Sequence, residues 1–137
     1  MTAWEGWPLD RMLYAFLGAA YALIWLQLTL MHWRGGFHNA VMWGPVLVTP
    51  LLAVGAFVVA SLRGEVIDAA FAVLFGVGTA IGLVGTAMHL RGDAAQIGGL
   101  TLRNMMSGPP PVLPLLYMAL AVLGLAIHYW PSAGAAA

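Results

Sequence analysis

Two histidines lie in copies of one short motif, and they are the side chains of this sequence best suited to chemistry. The motif reads MHWRG at residues 31–35 and MHLRG at residues 88–92. A neutral imidazole can ligate a haem iron or a metal ion through one ring nitrogen. A guanidinium group binds carboxylates in a bidentate manner, which suits haem propionates or another anion. We therefore predict a cofactor site built from His32, His89, Arg34 and Arg91.

The sequence leaves the identity of this cofactor open. Haem b would use the paired imidazoles as axial ligands, and a quinone is a further possibility. Thioethers combined with imidazole suit Cu(I). The candidate metal ligands are then His32, His89, Met31 and Met88.

The same residue types also have a role that needs no cofactor. Arginine at the C-terminal end of a helix interacts favourably with the helix dipole, and histidine there can form a hydrogen bond to a free carbonyl. Helix capping is therefore the alternative interpretation of the repeated motif.

The composition places these motifs in a membrane protein. Of the 137 residues, 62% are hydrophobic and only 7% are charged. Soluble domains carry about 25% charged residues, so this chain could not cover a water-exposed surface. The absence of cysteine excludes a disulfide scaffold, and the apolar content excludes a disordered chain. The formal net charge of +0 argues against a nucleic-acid partner.

Four stretches are long and apolar enough to cross a bilayer, which takes roughly 20 residues in a helix. They are residues 9–33, 45–62, 66–90 and 109–130. Backbone groups in lipid must be satisfied within the segment, and the alternation typical of a barrel is absent. We expect an all-α integral membrane protein with four transmembrane helices and both termini on one side.

A second pair of matching segments indicates an internal repeat. The pattern M-x-G-P-x4-P-L-L occurs at residues 42–52 and again at residues 106–116. The chain therefore divides into two hairpin units, which cover residues 9–62 and 66–130. The second unit has a longer loop, residues 93–107, and a tail at residues 131–137 that we expect to be disordered. Two spans return the chain to its starting side, so the hairpins are parallel and related by a pseudo-twofold axis along the membrane normal.

Helical spacing predicts which faces of the first and third spans meet. One face of the third span carries Gly78, Gly82, Gly85 and His89. The matching positions of the first span are Tyr21, Trp25, Leu28 and His32. Small residues allow membrane helices to approach closely. We expect the large side chains to fill the glycine groove, which would bring the two histidines together.

These features favour an electron-transfer or membrane-anchor subunit of a larger redox complex, with no catalytic activity of its own. The alternative is a structural or assembly protein without a cofactor, and a further one is an oligomeric channel for small solutes. In each case the partners are the lipid bilayer and other membrane subunits or further copies of the chain.

The arginines suggest an orientation in the membrane. Arg34, Arg91 and Arg103 lie on the side of the first and third loops, whereas Arg11 and Arg63 lie on the side of the termini. Cytoplasmic loops carry an excess of positive charge. We therefore expect a bacterial inner-membrane protein whose termini lie outside the cytoplasm.

Overall fold

The computed structural model describes residues 8–96 and 98–130 of the chain. Within these ranges the α-helices are α1 (Leu9–Arg34), α2 (Trp43–Ser61), α3 (Glu65–Gln96), α4 (Leu102–Ser107) and α5 (Val112–Tyr129). A 3-10 helix, Ala40–Met42, leads directly into α2, and the described residues contain no strand. Four of these helices, α1, α2, α3 and α5, are long and apolar enough to cross a membrane. The prediction of an all-helical chain with four candidate spans is confirmed, and the predicted disordered tail lies outside the described residues.

The four long helices form one bundle. The most extensive packing joins α1 to α2 and α3 to α5, so each helix lies beside its neighbour in sequence. Packing of α2 against α3 and a smaller contact between α1 and α5 close the bundle. The repeat and its pseudo-twofold axis stay predictions.

Aromatic side chains occupy the centre of the bundle, and many large apolar side chains lie exposed on its outside. Its centre holds aromatic rings, with Tyr14 against Phe71 and Tyr21 against Phe75 at centroid distances of 5.2 Å and 5.7 Å. The outward faces carry aliphatic side chains, and Leu23, for example, is 71% exposed. A soluble protein rarely exposes apolar surface on this scale, whereas lipid solvates it. The distribution of side chains is therefore that of a membrane protein.

The helix α3 is longer than the span predicted at residues 66–90. The helical candidate span Glu65–Ala95 contains 31 residues and is about 46 Å long at 1.5 Å per residue. A hydrocarbon core is about 30 Å thick, so the end of α3 extends beyond it. The chain then turns back through Gly98 and Gly99, whose φ angles of 94° and 123° favour glycine. The first residues of the segment predicted as a loop at 93–107 are thus helical, and α4 forms its second half.

The glycine groove of α3 faces α5 and α2 and not α1, so that part of the prediction is wrong. A Cβ atom on Gly82 would lie 2.6 Å from the Cβ of Met118 in α5. A Cβ atom on Gly78 would lie 3.0 Å from Leu52 in α2. Helices joined by short connections pack side by side. The helices α1 and α3 meet through long aromatic side chains that reach across the centre of the bundle.

Candidate functional site

A cavity of about 580 Å³ opens where α1 and α3 end and where α2 and α5 begin. Its apolar wall includes Ile24, Leu28, Ile81 and Leu113. The polar side chains that line it are His32, Arg34, His38, His89, Ser107 and Tyr117. Ile24 precedes His32 by eight residues, so the cavity extends about 12 Å into the bundle along α1.

The cavity brings together some of the residues that the sequence singled out. His32 and His89 both line it, although they come from α1 and α3. Arg34 and Met31 also line it. Their counterparts Arg91 and Met88 in the second motif are exposed and do not line this cavity.

The imidazole of His89 is held by the backbone at the start of α5. Its Nδ1 atom lies 2.9 Å from the carbonyl oxygen of Pro110. Since a carbonyl only accepts hydrogen bonds, Nδ1 carries the proton and Nε2 has a free lone pair in the neutral ring. Pro110 precedes α5, whose N-cap is Pro111, so its carbonyl lies outside the backbone hydrogen bonds of that helix. His89 therefore links the end of α3 to the segment that leads into α5.

In the first hairpin a side chain of α1 donates to a carbonyl that a proline leaves free. Pro50 lies four residues after Val46 and leaves the carbonyl of Val46 without its helical donor. The indole Nε1 of Trp25 donates to this carbonyl at 3.0 Å. Val46 and Pro110 hold the same place in the two M-x-G-P-x4-P-L-L segments. At this place in both segments a side chain of the preceding long helix thus donates to a backbone carbonyl, but only the carbonyl of Val46 lies within a helix.

His32 differs from His89 in its contacts. Its Nδ1 atom is buried and has no hydrogen-bond partner among the described residues, and its ring lies near that of Phe37, with 6.3 Å between the centroids. Backbone groups already cap the end of α1, since the N–H groups of Gly35 and Phe37 donate to the carbonyls of Met31 and His32 at 3.1 Å in each case. The side chain of His32 is therefore not needed to cap α1.

Tyr117 is a further polar group of this cavity, and the sequence analysis did not single it out. The residue is 3% exposed, and its hydroxyl has no hydrogen-bond partner among the described residues. The hydroxyl of Thr49 lies nearby but donates to the carbonyl of Pro45. The backbone carbonyl of Tyr117 accepts a hydrogen bond of 2.8 Å from the hydroxyl of Tyr21. The only feature of the sequence that could have pointed to Tyr117 is that its phenol lies inside an otherwise apolar span.

His38 and His128 differ from the paired histidines in position. His38 follows α1, is exposed at the mouth of the cavity, and its Nδ1 lies 2.9 Å from the carbonyl of Gly35. His128 lies near the end of α5 at the opposite end of the bundle, where its ring packs against Phe71 with a centroid distance of 5.3 Å.

The donor set of the cavity limits its chemistry. Over residues 8–96 and 98–130, no group of three or more His, Asp or Glu side chains is placed to hold a metal ion. His89 has the arrangement of a ligating histidine, in which one ring N–H binds a backbone carbonyl and the other nitrogen is available. Tyr117 and His32 add buried polar atoms that a cofactor could pair with.

Comparisons with protein-family models, with curated proteins and with solved structures find no match.

Proposed function

We propose that this protein is an electron-transfer or membrane-anchor subunit of a redox assembly and that it holds a redox cofactor in the cavity between α1, α3 and α5. The observation that carries the proposal is that both motif histidines line this one cavity from different helices. Nδ1 of His32 is buried without a hydrogen-bond partner, as is Nδ1 of His128 at the far end of the bundle, but of these two residues only His32 lines the cavity.

Each residue of the motif has a distinct part in this proposal. His32 and His89 contact the cofactor, and Arg34 at the mouth pairs with an anionic or polar edge of it. Arg91 lies outside the cavity lining and would contact a partner subunit or a headgroup at the same membrane surface. Haem b, if bound, supplies one-electron chemistry, with the free Nε2 of His89 as the available ligand nitrogen.

A structural role without a cofactor is the second candidate, and the hydrogen bond from His89 to Pro110 favours it. This bond joins α3 to the segment that leads into α5. On this view His89 serves stability alone. The structural role does not account for the Nδ1 atom of His32, which is buried without a hydrogen-bond partner among the described residues.

Cofactor content after purification tests the proposal. The full chain is purified in mild detergent from membranes of an expression host that makes haem and quinones. Its absorption spectrum, bound metals and extractable quinones are then measured per mole of protein. We expect a bound cofactor near one equivalent and a loss of most of it in His32→Ala.

His128→Ala is the matched control, because His128 is a histidine near the far end of α5 and does not line the cavity. It should keep the cofactor content of the parent. A parent protein without haem, metal or quinone would contradict the proposal, and so would equal cofactor content in His32→Ala and the parent.

A further inference from the structure

The polar groups of the cavity specify the hydrogen bonds that an occupant must make. This step rests on the proposed function, because it concerns the same cavity. The hydroxyl of Tyr117 and the Nδ1 atom of His32 have no hydrogen-bond partner among the described residues, and both residues line the cavity. The Nε2 atom of His89 is an acceptor, since Nδ1 donates to Pro110. The occupant therefore offers at least two acceptor oxygens and can also present a hydroxyl.

Charge narrows the class of occupant further. Arg34 is the only charged residue in the described lining, and no Asp or Glu lines the cavity. A cationic ligand would find no counter-ion there. Ile24, Leu28, Ile81 and Leu113 supply apolar wall. The occupant is thus a largely apolar molecule without a positive charge, and it has polar oxygens at separate positions.

The contact between α1 and α5 is the place where we expect an apolar tail to leave the cavity. Among the neighbouring long helices, these two contact each other least. Both helices line the cavity, with Ile24 and Leu28 on α1 and Leu113 on α5. The tail would separate them locally and extend into lipid while the ring occupies the cavity.

We infer that the occupant is a lipid-soluble quinone. One ring carbonyl accepts a hydrogen bond from the hydroxyl of Tyr117, and the other accepts one from the imidazole of His32. In the hydroquinone form, a ring hydroxyl donates to Nε2 of His89. The same three side chains thus satisfy the polar groups of both forms.

A quinone accounts for these polar groups better than haem does. Tyr117 is 3% exposed, and its hydroxyl would stay without a hydrogen-bond partner against the apolar face of a porphyrin. A buried donor without a partner costs about 1–3 kcal/mol. Haem propionates would also find only Arg34 at the cavity, since Arg91 does not line it.

Titration with decylubiquinone tests the inference on the full chain purified in detergent and stripped of bound quinone. We expect saturable binding at one equivalent per chain. Tyr117→Phe should raise Kd about three- to tenfold, the range expected for the loss of one hydrogen bond. Tyr129→Phe is the matched control, because Tyr129 is 70% exposed at the far end of α5, and its Kd should equal that of the parent.

Stability measurements separate binding from folding. Tyr117→Phe removes an unpaired hydroxyl, so the unfolding temperature of the quinone-free protein should not fall. His32→Leu is the second variant, and it should also raise Kd. An unchanged Kd in both Tyr117→Phe and His32→Leu would overturn the inference.

The two proposals fail in distinguishable ways. A haem spectrum in the purified protein without saturable quinone binding would overturn the quinone inference and leave the proposed function standing. The absence of haem, bound metal and quinone binding together would overturn both.

Discussion

The proline inside α2 creates a specific need at the level of single residues. Pro50 cannot donate to the carbonyl of Val46, and the indole of Trp25 donates instead at 3.0 Å. In the second hairpin His89 donates to the carbonyl at the matching place, that of Pro110, at 2.9 Å. The donors differ because the residue of α3 that corresponds to Trp25 is Gly82, which packs against α5.

Trp25→Phe tests this explanation. The substitution keeps an aromatic ring but removes the indole N–H, so the carbonyl of Val46 is left without a donor. We expect a loss of about 0.5–1.5 kcal/mol in the free energy of unfolding, measured by denaturation in mixed micelles. Trp33→Phe is the control, since Trp33 is 70% exposed near the end of α1. Equal losses in the two variants would show that the ring, and not its N–H group, matters.

The two motif histidines should respond differently to the same substitution. His89→Ala removes the donor to Pro110, so the free energy of unfolding should fall by about 1 kcal/mol. His32→Ala removes a ring with no protein partner for its Nδ1, so the cofactor-free protein should lose less. Thermal unfolding of both cofactor-free variants measures the difference. A larger loss in His32→Ala would contradict this division of roles.

At this scale the sequence predicts the histidine pair but not its partners. A repeated motif is visible in the chain, and both of its histidines line one cavity. Tyr117 was missed because a phenol in an apolar span carries no periodic signal. The roles of Trp25 and His89 as donors also depend on which helix lies beside each proline, and local spacing does not determine that.

At the level of helices, the close contact of α3 with α5 depends on glycine. Gly82→Ala would place a Cβ atom 2.6 Å from the Cβ of Met118 and 2.8 Å from its Cα. Because the Cα of Met118 moves only with its helix, α3 and α5 would have to separate. We expect a loss of about 1–3 kcal/mol, measured by unfolding in mixed micelles.

Gly76→Ala is the matched control. Gly76 lies in the same helix as Gly82, and a Cβ atom on it would meet nothing within 4 Å. Alanine is the better helix former by roughly 0.5–1 kcal/mol, so this variant should be as stable as the parent or more so. If Gly82→Ala were equally well tolerated, the close packing of α3 on α5 would be wrong.

Hydropathy was sufficient to place the four long helices but not their contacts. The span predicted at residues 109–130 forms as α5, Val112–Tyr129, and the predicted start at residue 9 is the start of α1. The period of 3.6 residues places Gly78 and Gly82 on one face, but it does not say which helix that face meets. The end of α3 was placed too early because its last turns, which include Arg91 and Asp93, are polar and extend beyond the apolar segment.

For the molecule as a whole, the bundle has two polar ends of different character. At the end where α2 meets α3, Arg63 forms an ion pair of 3.1 Å with Asp68. The cavity with His32 and His89 opens at the other end. From the positive-inside rule we predict that the cavity end faces the cytoplasm.

Cysteine labelling tests this orientation, and the natural chain contains no cysteine that would interfere. Gly64→Cys introduces a thiol between α2 and α3, where a side chain meets nothing within 4 Å. Ala94→Cys introduces one at an exposed position near the end of α3. With a membrane-impermeant maleimide on intact bacterial cells, we expect Gly64→Cys to react and Ala94→Cys to react only after the cells are opened. The reverse result would place the cavity outside the cytoplasm, and labelling of both in intact cells would contradict an odd number of crossings between these positions.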